Sequence, residues 1–401
     1  MNRPSTSKAP ISAKKPDAVP LLDLQRQYLT LREAILAAIE RVCASQHFIL
    51  GAEAEALESE LAAFCGAGAA VGCASGTDAL WLSLAACEVG PGDAVITTPF
   101  SFFASASAIV RAGGRPVFVD IDPLTLNLDP AQVSARLRAS RSFRIRALLP
   151  VHLFGQCSDI DALQAISDEF KLHLIEDAAQ AIGASWRGRR AGSLGIAAAF
   201  SFYPTKNLSA YGDAGLTMTR DAERADHMRR LRNHGSPQRY LHEEFGWNAR
   251  IDAIQAAVLR VKLPYVERWN ELRRSHAARY DGLFRESGLV ASAAAASVHA
   301  QAPVTLPWID ERAHSVFHQY VIRAHRRDEL RKFLSARKIG TEIYYPLPLH
   351  MQPCFAYLGY GEGDFPVAER AAREVLALPM FPELTEEEQR WVVASIAEFY
   401  S

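Results

Sequence analysis

The chain has 401 residues, of which 49% are hydrophobic and 22% are charged, and its formal net charge is −1. This composition is typical of a globular protein with about two or three domains, and the balanced charge excludes the broad basic field of a nucleic-acid-binding surface. No apolar run reaches the roughly 20 residues that span a bilayer. The six cysteines lack Cys-x-x-Cys or zinc-site spacing and favour a reduced, cytoplasmic protein.

The first half of the chain alternates helical and strand patterns. Residues 1–18 carry charge and proline without an apolar signal core, so we expect a disordered tail. Helical spacing follows over residues 21–39, with Asp23 as a cap, and over residues 52–64. Short apolar strands then alternate with helices, at residues 94–98, 116–121, 145–152, 172–176, 198–202 and 216–219. This order predicts an α/β fold built on a mostly parallel sheet with helices on both faces.

Small residues lead into a helix at Ser75-Gly76-Thr77. A helix that begins this way has free backbone N–H groups at its positive dipole end, which together form a phosphate site. We predict that Gly76 and Thr77 hold a phosphate. An ordinary helix N-cap explains the same residues.

Two sets of side chains have the chemistry of metal ligands. Asp120, Asp122 and Asp129 are close in sequence, but the first two are typical of a strand end followed by a turn. His314 and His318 stand four apart, as zinc ligands on a helix do, but the pattern there is strand-like and a third ligand is missing. We expect no metal site.

An apolar run ends in a carboxylate at Asp177. The run predicts a buried parallel strand, with Asp177 at the carboxyl edge of the sheet, where open α/β folds bind their ligands. The alternative is an aspartate that caps the next helix.

Lys206 follows the next strand and is one of only five lysines beyond the N-terminal tail. A desolvated lysine loses its proton and attacks a carbonyl to form a Schiff base, which arginine cannot do. Pyridoxal phosphate chemistry needs such a lysine, and also a carboxylate such as Asp177 to keep the ring nitrogen protonated. We interpret Lys206 as catalytic and pyridoxal 5'-phosphate as the cofactor. The alternative is a surface lysine in a loop.

The second half of the chain predicts a smaller domain. A helical pattern begins at Gly246 and continues to residue 280, with an interruption at Pro264, and an Ala/Ser-rich linker follows at residues 286–304. A strand is expected at residues 318–323 and a helix at 327–337. We predict a large cofactor-binding domain and a smaller C-terminal α+β domain, at residues 19–263 and 264–401.

The three elements around Gly76, Asp177 and Lys206 together resemble the DegT-type (DegT/DnrJ/StrS) nucleotide-sugar aminotransferases, a branch of the aspartate-aminotransferase-like fold, or fold type I of pyridoxal phosphate enzymes. The resemblance extends from residue 19 to residue 380. Besides the segments already described, it rests on Phe48-Ile49-Leu50-Gly51, Pro91-Gly92-Asp93, Pro150-Val151-His152-Leu153-Phe154-Gly155-Gln156 and Arg232-Asn233-His234-Gly235.

The resemblance implies further contacts to the cofactor. Phe102 stacks on one face of its ring, with Ala179 on the other, although the register leaves Phe103 as an alternative. Gln180 bonds the phenolic oxygen, and Ser201 bonds the phosphate.

The resemblance also implies a homodimer with shared active sites, because Asn248 reaches the partner's phosphate; a capping asparagine is the alternative. Tyr345 and His350 lie in a proline-stiffened segment that contributes to the sugar-nucleotide site, although a rigid turn explains the tyrosine equally well. Arg250 is a candidate for binding the donor's carboxylate.

The implied reaction transfers an amino group from L-glutamate to a keto-sugar of a nucleoside diphosphate, in amino-sugar biosynthesis. Lys206 moves the proton as general base and acid, and a lysine here argues against the dehydratase members, which carry histidine. Tyr203 and Gly212-Asp213 favour a 3-keto over a 4-keto acceptor, while Ala214 departs from the usual glycine. A different pyridoxal phosphate reaction, such as elimination, and a non-catalytic regulator are the alternatives.

Overall fold

The structure is a computed structural model that describes residues 15–139, 144–290 and 302–401. Most of the predicted tail and of the predicted linker lies outside these residues. Helices form at α1 (Leu24–Ser45), α2 (Ala52–Cys65), α3 (Gly76–Ala86), α4 (Ala104–Arg111), α5 (Pro130–Ala139), α6 (Ile160–Phe170), α7 (Ala222–Leu231), α8 (Ala253–Lys262), α9 (Val266–Ser287), α10 (Arg327–Ala336), α11 (Pro366–Glu374) and α12 (Glu386–Tyr400). Strands form at β1 (Ala69–Cys73), β2 (Asp93–Thr97), β3 (Arg115–Phe118), β4 (Arg144–Leu149), β5 (His173–Asp177), β6 (Ser185–Trp186), β7 (Arg189–Arg190), β8 (Ala197–Ser201), β9 (Gly215–Thr219), β10 (Val304–Thr305), β11 (Ala313–His314), β12 (Tyr320–Ala324) and β13 (Val375–Leu378).

The central sheet has seven strands in the order β1-β9-β8-β5-β4-β2-β3. Strand β9 runs antiparallel to both of its neighbours, and the remaining pairs are parallel. The predicted α/β fold with a mostly parallel mixed sheet is therefore confirmed, and all six predicted strands form within a few residues of their expected bounds. The prediction missed β1, because its sequence, Ala-Ala-Val-Gly-Cys, is short of the bulky residues that mark strands.

One predicted helix start is wrong. Residues 246–252 are not helical, and α8 begins only at Ala253, where the side chain of Asp252 accepts a 2.8 Å hydrogen bond from the N–H of Gln255. The preceding segment lies beside the end of β1 instead, since the N–H of Ala74 donates to the carbonyl of Ala249 at 3.0 Å. The expected interruption at Pro264 is a short 3-10 turn between α8 and α9.

The C-terminal part has its own three-stranded antiparallel sheet, in the order β10-β12-β13. Tyr280 of α9 packs on Tyr320 of β12. Val19 pairs with Ile339 of the C-terminal part, outside this sheet. The N-terminal segment therefore closes onto the C-terminal part and brings Leu21 with it. Among the described residues, no helix is both long enough and apolar enough to cross a bilayer.

Candidate active site

The start of α3 forms a cradle with the end of β8. Ser75 caps α3 by accepting a 3.1 Å hydrogen bond from the N–H of Asp78, and the N–H groups of the first turn have no partner within the helix. Gly76 lies directly against Ser201, because a Cβ on Gly76 would stand 2.6 Å from the Ser201 Cβ. The structure therefore brings Gly76, Thr77 and Ser201 together, and the cradle suits a phosphate.

The paired strands β8 and β9 pack against the residues of this cradle. Gly215 lies opposite Ser201, and a Cβ on it would stand 2.2 Å from the Ser75 carbonyl oxygen, so only glycine fits there. Ala214 is buried and its carbonyl accepts a 2.8 Å hydrogen bond from the Phe202 N–H. The methyl group of Ala214 is therefore packed inside the protein at this position.

Asp177 ends β5 at the carboxyl edge of the sheet, as predicted from sequence, and it is 3% exposed. Its Oδ2 accepts a 2.7 Å hydrogen bond from the Ser105 hydroxyl, and its Oδ1 accepts from the Ala179 N–H at 3.2 Å. Burial raises the pKa of Asp177, while these bonds and the charge of Lys206 oppose the shift. Sequence reasoning missed Ser105, because only the packing of α4 brings it to β5.

The residue before Asp177 anchors this edge of the sheet. Glu176 is fully buried and accepts hydrogen bonds from the N–H groups of Gly192, Leu194 and Gly195, each at 2.8 Å. The ring of His152 contacts its Oε2 at 3.0 Å. The N–H of His152 in turn donates to the Asp177 carbonyl, so the backbone that carries Asp177 is fixed from both sides.

Lys206 is half-buried beside these groups. Burial lowers the pKa of its amine to about 8, against the attraction of Asp177. The charge of Lys206, after burial, also helps to hold the pKa of His318 well below its ordinary value, so that ring lies nearby as well. This lowered pKa favours the neutral, nucleophilic form of the Lys206 amine.

An aromatic group lies next to this centre. Phe102 is 59% exposed and its ring centroid lies 6.3 Å from that of Tyr345, whereas Phe103 packs on Phe355 at 5.5 Å. The geometry therefore favours Phe102 as the ring available to a ligand. Gln180 joins the group by donating to the Tyr345 hydroxyl at 3.1 Å.

His350 and Asn248 have other contacts. His350 is 2% exposed and its Nε2 contacts Glu369 at 3.1 Å, so its part in the sugar-nucleotide site stays a prediction. Asn248 is exposed, and its Oδ1 accepts a 3.1 Å hydrogen bond from Arg250 rather than contacting the site of its own chain.

The candidate metal ligands are engaged in backbone contacts. Asp120 accepts hydrogen bonds from the N–H groups of Val367 and Ala368, both at 2.9 Å, and Asp122 accepts from Leu124 and Thr125 in a turn. In the described parts of the chain, no group of three or more ligating side chains is placed to hold a metal ion.

These residues fit pyridoxal phosphate. The cradle of Gly76, Thr77 and Ser201 would hold its phosphate, Asp177 its ring nitrogen and Lys206 its carbonyl carbon. Together with the mixed seven-stranded sheet, this defines a fold type I enzyme dependent on pyridoxal phosphate.

Comparison with known proteins identifies the family. Residues 29–397 match the DegT/DnrJ/EryC1/StrS aminotransferase family, and the chain belongs to it. It is 51% identical to the "Pleiotropic regulatory protein" of Geobacillus stearothermophilus over 95% of this chain and 98% of that one. It is 44% identical to "dTDP-3-amino-3,4,6-trideoxy-alpha-D-glucose transaminase" of Streptomyces venezuelae, over 95% and 96%.

A solved structure agrees with this assignment. The crystal structure of DesV from S. venezuelae, in complex with a ketimine intermediate, superposes with a TM-score of 0.89 at 42% identity, over 96% of this chain and 99% of that one. The predicted family, fold class, cofactor and enzyme class are thereby confirmed.

The cradle gives a first prediction. We expect Gly76→Ala to weaken the binding of pyridoxal phosphate about 10-fold or more. The new methyl group displaces Ser201, so the charge-assisted hydrogen bond from Ser201 to the cofactor phosphate is lost. Titration of the apoprotein with cofactor, followed by visible absorbance, measures this. Gly90→Ala is the matched control, since a Cβ there meets nothing within 4 Å. Equal cofactor affinity of Gly76→Ala and wild type would contradict the assignment.

The amine gives a second prediction. In the apoprotein, acylation of Lys206 by a small water-soluble reagent should increase with pH up to a midpoint near pH 8 and then level off, because the neutral amine is the nucleophile. Mass spectrometry of the peptide that contains Lys206 gives the rate at each pH. Nα-acetyl-lysine amide, the control, should keep increasing toward about pH 10.4. A Lys206 profile that follows this control would show that the amine is not desolvated.

Proposed function

We propose that the protein is a nucleotide-sugar aminotransferase, which moves an amino group from L-glutamate to a keto-sugar carried on a nucleoside diphosphate. The observation that carries this proposal is the half-buried amine of Lys206, with its lowered pKa, beside the buried carboxylate of Asp177. One relative is named as a regulatory protein, so a regulatory function is the alternative. A binding module has no need of a desolvated lysine at the carboxyl edge of the sheet.

The residues of this chain divide the chemical work. Pyridoxal phosphate, when bound, supplies the electron sink that lets an amino group leave one carbon and join another. Lys206 holds and moves the proton during each half of the exchange, since its pKa lies near neutral pH. Asp177, oriented by Ser105, supplies the negative charge for the ring nitrogen. Glu176 and His152 fix the backbone that carries Asp177.

We infer that the acceptor is a 3-keto sugar. The relative from S. venezuelae is named for a sugar that carries its amino group at carbon 3, and amination at that carbon requires a 3-keto precursor. Tyr203 and Gly212-Asp213 agree with this choice in the sequence. Tyr203, three residues before Lys206, is 53% exposed, so its side chain is available to the acceptor. Tyr345 is half-buried in the aromatic group with Phe102.

We also propose a homodimer in which Asn248 serves the site of the partner subunit. The segment around Asn248 exposes large apolar side chains, with Tyr240 at 83%, Phe245 at 97% and Trp247 at 52% exposure. Apolar side chains that cluster on a surface mark a protein contact. A second copy of this chain would cover them.

Two further assignments stay predictions. The six cysteines are all free thiols, which supports a location in the reducing cytoplasm. The proposed domain boundary after residue 263 falls in the 3-10 turn between α8 and α9.

The function is tested with the holoenzyme. L-glutamate should change the visible absorption of the bound cofactor and release 2-oxoglutarate, and Lys206→Ala should lose this turnover, because the change removes the amine that moves the proton. Supplied next with dTDP-linked 3-keto and 4-keto sugars, the wild type should use the 3-keto isomer about 100-fold better in kcat/KM, since misplacing the reacting carbon is costly. Faster use of the 4-keto isomer would overturn the assignment of the sugar position, and the absence of any amino-sugar would overturn the function.

Sharing of the active sites is tested by mixing subunits. Lys206→Ala and Asn248→Asp should each be inactive alone, the second because a carboxylate repels the cofactor phosphate. After subunit exchange, about a quarter of wild-type activity should return, because half of the dimers contain one intact site. In the control mixture of Lys206→Ala with Asp177→Asn, both changes affect the site of their own chain, so activity should not return. Failure of the first mixture to recover activity would place Asn248 in the site of its own chain.

A further inference from the structure

Lys206 lies in a loop between β8 and β9 whose main chain is closed by hydrogen bonds. The base of the loop is closed where the N–H of Ala210 donates to the Phe202 carbonyl at 2.8 Å. The N–H of Lys206 itself donates to the Tyr203 carbonyl at 2.8 Å, in a turn. The next residue, Asn207, directs its side chain into the protein and is 4% exposed. The position of the Lys206 main chain therefore also depends on what the Asn207 side chain contacts.

Asn207 binds groups from two distant segments of the chain. Its Nδ2 donates to the Oδ1 of Asn270 in α9 at 2.8 Å and to the carbonyl of Val316 at 3.2 Å. Its Oδ1 contacts the Nδ1 of His318 at 3.0 Å. Asn270 is fully buried, and its own Nδ2 donates to the carbonyl of Ile182 at 3.0 Å. Both amides are thus held by partners on each side.

The two main-chain carbonyls decide which ring nitrogen of His318 carries a proton. A carbonyl only accepts hydrogen bonds, so the NH2 group of Asn207 must face Val316, and that of Asn270 must face Ile182. The Oδ1 of Asn207 is then the atom that faces His318, and it needs a donor. The Nδ1 atom of His318 is therefore protonated.

The His318 ring is neutral in this arrangement. It is 7% exposed, and burial, followed by the positive charges of Lys206 and Arg273, lowers its pKa well below the ordinary value. The single ring proton on Nδ1 is donated to Asn207. A charged ring would instead repel the protonated amine of Lys206. The contact therefore holds the Lys206 loop without placing a further charge beside it.

Asn270 connects the segments that carry the two main groups of the site. Ile182, whose carbonyl binds Asn270, follows Asp177 by five positions. Asn207, whose amide also binds Asn270, directly follows Lys206. One buried side chain of α9 therefore ties the end of β5 to the Lys206 loop.

We propose that Asn270 and His318 are positioning residues, which hold the amine of Lys206 in place near Asp177 through the side chain of Asn207. The inference rests on the role of Lys206 in the proposed function and deepens it. Asn270 and His318 both lie beyond residue 263. The reactive lysine is therefore held by residues from the other side of the proposed domain boundary.

The first test compares the reactivity of Lys206 with a binding step that does not use its amine. Pyridoxamine 5'-phosphate has no carbonyl group to react with Lys206, so its affinity for the apoprotein reports on the other cofactor contacts. Asn270→Ala should leave this affinity within about twofold of wild type. Covalent attachment of pyridoxal phosphate to the Lys206 amine, with loss of water, should become about 10- to 100-fold slower, because the amine is misplaced. Visible absorption follows the attachment. Ser275→Ala, an exposed change in the same helix, is the control.

The second test uses the position of the His318 proton. The side-chain nitrogen of asparagine takes the place of the ring Nδ1, whereas that of glutamine takes the place of Nε2. His318→Asn should therefore keep the attachment rate within about threefold of wild type, while His318→Gln should lower it about 10-fold, since the Oδ1 of Asn207 loses its donor. Nuclear magnetic resonance of protein labelled with nitrogen-15 in its histidines should place the proton on Nδ1 between about pH 6 and about pH 9. The His318 signal is identified by its absence from His318→Gln.

Several results would overturn the inference. One is an attachment rate of Asn270→Ala equal to that of wild type. Another is an equal loss in the binding of pyridoxamine 5'-phosphate, because the network would then hold the whole site rather than the lysine. If Asn270→Ala does not fold, the second test decides: a proton on Nε2, or equal rates for His318→Asn and His318→Gln, contradicts the assigned contact. None of these measurements uses an amino donor or a sugar. A wild type that attaches the cofactor but transfers no amino group would overturn the proposed function alone.

Discussion

Strand β5 ends in two consecutive carboxylates, and the site depends on the fact that successive side chains of a strand point to opposite faces. Glu176 points to one face, where it accepts hydrogen bonds from three backbone N–H groups and contacts His152. Asp177 points to the other face and meets Ser105. The Glu176 carboxylate therefore holds the loop at Gly192–Gly195 against the sheet. The Asp177 carboxylate remains free to bind the ring nitrogen of the cofactor. A shift of one residue in the register of β5 would exchange the two roles and destroy both.

The electrostatics of the site result from competition between burial and attraction. Burial alone disfavours the charged forms of both Asp177 and Lys206, and their mutual attraction opposes it in each. For Lys206 burial prevails, which is why its amine titrates near pH 8 rather than far above it. A positive ring nitrogen at Asp177 would neutralise that carboxylate and remove the attraction that keeps Lys206 protonated. Binding at one end of the site thus favours the nucleophilic form of the amine at the other end.

Features that depend only on a short run of neighbouring residues were predicted from the sequence. The apolar strands, the helix start at Gly76 and the carboxylate of Asp177 each lie within one short pattern, and all three are placed as expected. The sequence was insufficient where distant elements meet. Ser105 reaches Asp177 across 72 positions of the chain, and only the packing of α4 on β5 creates that contact. The burial of His350 was hidden for the same reason, since Glu369, which contacts its ring, is 19 positions away. The helix expected from Gly246 failed because pairing of Ala249 with the end of β1 outweighs local helical spacing.

The two substrates of an aminotransferase place different demands on the site. An aminotransferase binds an amino acid and a far larger sugar nucleotide in turn at one reactive centre, so each must be recognised without excluding the other. The exposed aromatic side chains around Phe102 offer a broad surface that suits a sugar ring. The cofactor cradle shares no residue with this surface, because it is built from the start of α3 and the end of β8. The fold can therefore vary the surface that meets the sugar while the residues that hold the cofactor remain unchanged.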